Sequence, residues 1–317
     1  MIRDHETLSL LLDAVSRFVR ERLVPAENEV AETDEIPADI VAEMRELGLF
    51  GLSIPEEYGG LGLTMEEEVL VAFEIGKTSP CFRSLFGTNV GIGSQGIIID
   101  GTAAQKQHYL PRLASGELIA SFALTEPGSG SDAASLSTRA VRDGDHYVIN
   151  GTKRFITNAP EAGIFTVMAR SNPDVKGASG ISAFIVERGI PGVSLGKIDK
   201  KMGQKGTHTC DVIFENCRVP AQNLIGGVEG IGFKTAARRR DNKVDVSTEA
   251  SCCKLFASEM CGRVADRAVQ IHGGAGYVSE YAIERFYRDV RLFRIYEGTS
   301  QIQQLVIARN MMRDAII

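Results

Sequence analysis

The sequence lacks any run of about 18 uninterrupted apolar residues, so no bilayer-spanning helix is expected. Its opening residues, Met1 to Glu6, carry charge with no apolar stretch of signal-peptide length behind them. Cysteine is sparse and badly spaced for metal. Cys81, Cys210, Cys217, Cys252, Cys253 and Cys261 form no repeated C-x-x-C pattern, and the adjacent Cys252 and Cys253 suit no ordinary disulfide. No metal site is expected, and the thiols are expected to be free, buried or half-buried, in a reducing compartment. A net positive balance is also missing: 35 Lys and Arg against 41 Asp and Glu give a net charge of −6, which argues against a broad electrostatic footprint for nucleic acid. The one basic cluster, Arg238 to Arg240 with Lys243, is flanked by Asp241 and Asp245 and reads as a solvated helix face or loop. There is no internal repeat and no low-complexity tract. What remains is the composition of a soluble, intracellular globular protein, and 317 residues are too many for a single core.

The first stretch is apolar at helical spacing, with Leu8, Leu11, Leu12, Val15, Phe18, Val19 and Leu23 on one face, and Pro25 is expected to close that helix. A second helix is predicted over 37–49, with Ile40, Val41, Met44 and Leu47 inward. Pro55 to Gly62 is punctuated as a loop. Thr64 and Glu67 have the spacing of a capping box opening another helix, and residues 105–113 end the α region. From about Ala120 the period shortens. Tyr147-Val148-Ile149 runs into Asn150-Gly151, a hairpin signal, and 164–168, 181–186 and 211–214 read as strands. Helical character returns at Ile231. Residues 247–269 read as one long helix. A last helix starts at Ser300, with Gln303 completing a second capping box and Ile302, Leu305, Val306 and Ala308 as its buried face.

Two segments carry chemistry. In Phe122-Ala-Leu-Thr-Glu-Pro-Gly-Ser-Gly-Ser-Asp132, Glu126-Pro127-Gly128 enforces a turn, the glycines allow close approach of a ligand, and Thr125 and Ser131 supply hydroxyls. A plain Gly-Ser surface turn reads the same way. Gly151-Thr-Lys-Arg-Phe-Ile-Thr-Asn158 is equally ambiguous alone, since Phe155 suits a core.

In order along the chain, however, these segments resemble one family. Pro55 to Gly62 is similar to the P-x-x-Y-G-G-x-G loop of acyl-CoA dehydrogenases, Phe122 to Asp132 to their flavin and substrate loop, and Gly151 to Asn158 to the strand that follows it. Phe214 to Pro220 is similar to their F-E-x-C-x-V-P segment. Gln270-Ile-His-Gly-Gly-Ala-Gly-Tyr277 and Ile295-Tyr-Glu-Gly-Thr-Ser-Gln301 complete the set.

The resemblance implies an α+β fold: an N-terminal α-helical domain (1–118), a middle β-barrel or sandwich domain (119–226) and a C-terminal helical bundle (227–317). It implies FAD as cofactor, an acyl-CoA substrate, an electron-transferring flavoprotein as partner, a homotetramer, and a location in the bacterial cytoplasm or, in a eukaryote, the mitochondrial matrix. Carried over residue by residue, Phe122, Leu124 and Thr125 contact the flavin ring. Gly130 and Ser131 serve its diphosphate side, Ser131 also reaching the acyl-CoA, and Phe155 and Thr157 pack against and hydrogen-bond the isoalloxazine. Gln270 and Gly274 contribute to an adenine-side pocket across a subunit interface, with His272 a spacer beside them. Thr299 and Gln301 close over the diphosphate and adenosine, and Tyr296 and Gly298 line the acyl slot.

The implied reaction is α,β-dehydrogenation of the thioester, with Glu297 as the base that removes the α proton. Gly298 gives the loop freedom to present Glu297 just ahead of the last helix. Burial by substrate raises such a carboxyl's pKa and the helix N-terminus opposes the rise. Two alternatives stay open: a related flavin oxidase or monooxygenase, and a non-catalytic CoA-thioester-binding or assembly subunit. One departure matters. After Ala236 the family runs through two long helices bearing an R-x-x-F-G motif, which this chain lacks. The last domain is therefore expected to be incomplete, missing much of two helices, either because those residues were removed or because the chain is truly deleted there.

Overall fold

The computed structural model describes residues 2–230 and 246–315. The basic cluster at 238–243, the helical start at Ile231 and the departure after Ala236 lie outside the described residues. Contacts divide the chain into two units, one of residues 1–200 with 206–243, the other of 201–205 with 244–317.

The first unit opens with helices. α1 (His5–Phe18) is capped by Asp4, whose carboxylate accepts from the Glu6 and Thr7 N–H groups. Pro25 does not close this helix. A π turn, Val19–Leu23, ends in a Val24 N–H to Val19 carbonyl bond, and α2 (Val24–Thr33) follows with Pro25 in its first turn. There the missing N–H of proline costs no hydrogen bond. α3 is Ala38–Glu46 and α4 Met65–Ile75, the latter opened by a complete Thr64–Glu67 capping box. α5 (Pro80–Thr88), α6 (Gln95–Asp100) and α7 (Ala103–Ala114) complete the helical part. The loop before α4 turns on Gly60, where a Cβ would fall 2.0 Å from the Ile54 carbonyl oxygen.

The strands are β1 (Ala120–Ala123), β2 (Arg139–Asp143), β3 (His146–Thr157), β4 (Ile164–Arg170), β5 (Ile181–Glu187), β6 (Val193–Leu195) and β7 (Thr209–Pro220). They form one sheet in the order β1-β4-β2-β3-β7-β6, with β5 on the other side of β4. Asn150-Gly151 is not the hairpin turn that its composition predicts. β3 runs straight through it, and the β2–β3 turn is Gly144-Asp145, between the paired Asp143 and His146. Asn150-Gly151 instead faces a bulge in β7, where Ile149 pairs with Cys217 and Gly151 with Phe214. A side chain at Gly151 would strike Thr138, so close approach rather than a turn explains the glycine.

β4 and β5 are buried on both faces. Phe165, Val167, Phe184 and Val186 join a core with Tyr147, Ile156 and Phe214, while Ile164, Met168, Ile181 and Ile185 pack with Tyr109, Leu110 and Leu113 of α7. Asn89, fully buried, ties helices to sheet: its Nδ2 donates to the Phe50 and Leu113 carbonyls (3.0 and 3.2 Å), and its Oδ1 accepts from the Ala120 N–H at 2.9 Å.

The second unit contains α8 (Ser247–His272), α9 (Ile283–Val290) and α10 (Ser300–Ala315). Its internal tie is Asp289, whose Oδ1 accepts from the Gln204 N–H at 2.5 Å. Two expectations fail here. Leu305 (59%) and Ala308 are exposed rather than buried, and Cys252 and Cys253 are exposed thiols. Among the described residues no helix is long and apolar enough to cross a membrane.

Asn89→Ala would strand the buried Phe50 carbonyl and the Ala120 N–H, while the Leu113 carbonyl keeps the Gly116 N–H. Urea unfolding should show a loss of about 2–4 kcal/mol, from about 1–3 kcal/mol per orphaned group with partial relaxation; a loss below 1 kcal/mol would contradict this role.

Candidate active site

In the first unit, β1 delivers the chain into the loop 124–138, which returns to β2. The loop is organised by one carboxylate. Glu126 Oε2 accepts from the Ser137 N–H (2.6 Å) and hydroxyl (2.7 Å), and Oε1 from the Thr138 N–H (2.9 Å) and the Lys153 ammonium (2.8 Å). Both side chains of that ion pair are shut off from water, at 3% and 0% exposure. Lys153 also donates to the Leu124 carbonyl at 3.0 Å. Main-chain bonds in both directions between Glu126 and Ser129 close the tight turn, and the Ser129 and Ser135 hydroxyls hold the Asp132 carbonyl. Pro127, Gly128, Gly130 and Ser131 are exposed, and no atom lies within 4 Å of where a Cβ on either glycine would stand. A ligand can reach this backbone.

Burial raises the Glu126 carboxyl, but the hydrogen bonds from Lys153, Thr138 and Ser137 and the charge of Lys153 outweigh it, holding the pKa at about 2. Burial pulls the Lys153 ammonium down to about 8 against the opposing pull of Glu126. The pair is therefore ionic at neutral pH.

β3 then does something that alternation alone does not predict. Lys153 pairs with Val212 and Ile156 with Cys210, so Arg154 and Phe155 together oppose Asp211 in a bulge. The bulge lets Lys153 and Ile156 both point inward and leaves Phe155 57% exposed at φ 57°, a strained conformation for an aromatic residue. The Arg154 guanidinium lies 5.0 Å from its ring centroid. The Arg154 N–H donates to the Thr125 carbonyl (2.7 Å), and the Ser121 hydroxyl to the Thr157 carbonyl (2.8 Å). Phe122 and Leu124 are half-buried against the helix-side core. In the first unit Phe122 thus lies on β1, Leu124, Thr125, Gly130 and Ser131 in the loop that follows, and Phe155 and Thr157 on β3, which is bonded to the start of that loop through Lys153 and Arg154.

In the second unit, Glu297 has φ 51° and Gly298 φ 81°, two successive left-handed residues just before α10. The Lys254 ammonium, from α8, donates to the Gly298 carbonyl at 2.5 Å. Burial lowers the Lys254 pKa, opposed by the charges of Glu297 and Glu259. Gln303 does not complete a capping box with Ser300. Its side-chain amide donates back to the Glu297 and Gly298 carbonyls (3.0 and 3.4 Å). Thr299 is the residue whose hydroxyl accepts from the Ile302 N–H, while Ser300 donates to Glu259 at 2.6 Å. The sixteen-residue α10 therefore presents its N-terminus beside Glu297, a place suited to an anion. Tyr296 stacks on Phe293 at 5.9 Å between ring centroids. Gln301, Gln270 and Gly274 are exposed, and His272 closes α8 through its ring nitrogen on the Ala268 carbonyl. Lys153 and Lys254 carry no local signal in the sequence, because their partners lie 27 and 44 residues away.

Family models for the N-terminal, middle and C-terminal domains of acyl-CoA dehydrogenases match residues 5–117, 121–217 and 231–312. The chain belongs to the acyl-CoA dehydrogenase family, an oxidoreductase fold of helical, curled-sheet and helical domains. Among individual relatives, it is 36% identical to the acryloyl-CoA reductase (NADH) of Anaerotignum propionicum, over 99% of this chain and 95% of that protein. It is 35% identical to the caffeyl-CoA reductase-Etf complex subunit CarC of Acetobacterium woodii, over 90% and 93%. An acyl-CoA dehydrogenase from Bacillus anthracis, solved in complex with FAD, superposes with a TM-score of 0.87 at 30% identity, covering 99% of this chain and 68% of that one. The alignment with the first relative runs over 382 positions, 65 more than the 317 residues of this chain, so that relative carries internal residues absent here.

The pKa of Glu126 lies below its unfolded value of 4.5, so its contribution to stability is complete above that pH and is lost as pH falls towards 2. Glu126→Gln should cost about 3–5 kcal/mol at pH 7, the range for breaking a buried ion pair. Its stability should also change less than the parent's between pH 4.5 and 2. Parallel acid profiles for variant and parent would rule this out.

Proposed function

We propose that the protein is a flavoenzyme acting on the α,β bond of an acyl-CoA thioester, with Glu297 as the base at Cα. The observation that carries the reading is the Glu297–Gly298 pair, held in left-handed conformation by Lys254 and Gln303 immediately before the N-terminus of α10. A carboxylate on a loop fixed at its main chain can meet a weakly acidic C–H in a set direction, which is what general base catalysis requires.

The cofactor is FAD, and the residues fit it. The open backbone of Gly128 and Gly130 admits close approach of a ligand, Phe155 offers an exposed aromatic face, and the start of α10 suits an anion. In this reading Phe122, Leu124, Thr125, Phe155 and Thr157 hold the ring, and Gly130, Ser131, Thr299 and Gln301 the diphosphate and adenosine. Gln270 and Gly274 serve the adenine side across the interface of a homotetramer. Ser131, Tyr296 and Gly298 touch the substrate. When bound, FAD supplies the hydride acceptor. The protein's own part is to orient the thioester, exclude water and move the α proton onto the Glu297 carboxylate.

The names of two relatives favour a second direction on the same residues: reduction of a 2-enoyl-CoA, with Glu297 returning its proton to Cα. The Etf complex named for one of them supports an electron-transferring flavoprotein as the electron partner. Anaerobic mixing distinguishes the directions, since acyl-CoA should bleach the oxidised flavin and enoyl-CoA should restore the reduced one. Glu297→Gln should still bind FAD and acyl-CoA but slow bleaching by about 100-fold or more, the scale of a lost general base. Bleaching at the parental rate would remove Glu297 from the mechanism.

A further inference from the structure

The Glu126–Lys153 pair takes no part in moving the α proton, and its place in the fold calls for another account. Simple scaffolding does not require ions, because a well-packed apolar pair of similar volume often serves as well or better. An ammonium does what an apolar side chain cannot: it fixes the direction of a carbonyl. Lys153 Nζ donates to Glu126 Oε1 at 2.8 Å and to the main-chain carbonyl of Leu124 at 3.0 Å. In a planar trans peptide the C=O and the following N–H point in opposite directions, and no peptide here is cis. Drawing the Leu124 carbonyl inward therefore turns the Thr125 N–H outward.

The next carbonyl, that of Thr125, accepts from the Arg154 N–H at 2.7 Å. β3 thus grips two successive peptides of the loop, one through the Lys153 side chain and one through the Arg154 main chain. Glu126 ties the far end of the same loop through the Ser137 and Thr138 N–H groups. The residues gripping the loop sit at the bulge that turns Phe155 outward at φ 57°. A displacement of Lys153 would move loop and ring together.

We propose that Lys153, braced by Glu126, is a positioning residue for the flavin: it sets the direction of the Leu124–Thr125 peptide and so aims the 124–131 loop and Phe155 at the isoalloxazine. The proposal rests on the flavin reading above. Its test is the Glu126→Gln/Lys153→Met double variant, which leaves neither partner as an unpaired buried charge. The readouts are the thermal midpoint of the apoprotein, the FAD Kd from quenching of flavin fluorescence, and the shape of the bound flavin's visible band. The double variant should fold, bind FAD at least about ten-fold more weakly and shift the band. Parental Kd and band shape would overturn the proposal. Should the double variant not fold, Lys153→Arg decides, because it keeps the charge pair but changes the reach and geometry of the donor to the Leu124 carbonyl. Weaker FAD binding and a shifted band there support positioning, and parental values overturn it. A parent protein that takes up no FAD would overturn the flavin reading and the proposal together. Parental affinity in the variants overturns the proposal alone.

Discussion

A carboxylate and an ammonium with almost no access to water, Glu126 and Lys153, decide the path of the chain between β1 and β2. Two charges in such a place need further hydrogen bonds, and here Glu126 takes them from the Ser137 N–H and hydroxyl and the Thr138 N–H at the far end of the same loop, and Lys153 gives one to the Leu124 carbonyl. The ion pair therefore acts through the backbone. It draws 124–126 against β3, leaves Pro127, Gly128, Gly130 and Ser131 exposed, and hands the chain to β2 with Leu136 already in the core. Around it the first unit is conventional. β4 and β5 are buried on both faces, and Asn89 joins sheet to helices by satisfying three main-chain groups.

Each unit also holds a non-glycine residue in left-handed backbone where a ligand is expected. Phe155 is turned out by a bulge, and Glu297 is held by an ammonium and an amide on the adjoining carbonyls. Such conformations cost on the order of 1–3 kcal/mol each and persist where the surroundings over-determine them. Both are over-determined here by named contacts. In the proposed reading one is a ring against the flavin and the other a base at Cα, groups whose direction matters more than their stability.

Much of this was legible in residue order. The Thr64–Glu67 capping box forms as its spacing predicts, and α8 extends only three residues beyond the helix expected at 247–269. Local signals misled where long-range contact overrode them. Pro25 has the look of a helix stop, but a π turn places it where its missing N–H is not needed. Asn150-Gly151 has the look of a hairpin, but Gly151 is there to clear Thr138. Ser300 and Gln303 have capping-box spacing, yet Thr299 takes the cap and Gln303 reaches back to the Glu297 loop. Of the candidate site, the residues proposed to face the ligand could be read from motifs, because motifs are local. Lys153, Glu126 and Lys254 could not, because nothing in their neighbourhoods announces partners tens of residues away.

The central claim is that the Glu297 carboxylate removes a proton from the α carbon of an acyl-CoA. It is tested most directly where no hydride can follow. An acyl-CoA with a fully substituted β carbon, incubated in D2O with the FAD-loaded protein, can exchange its α protons but cannot be oxidised. Proton NMR should show steady loss of the α-proton signal with the parent protein and none above background with Glu297→Gln. Exchange at the parental rate in that variant would contradict the account.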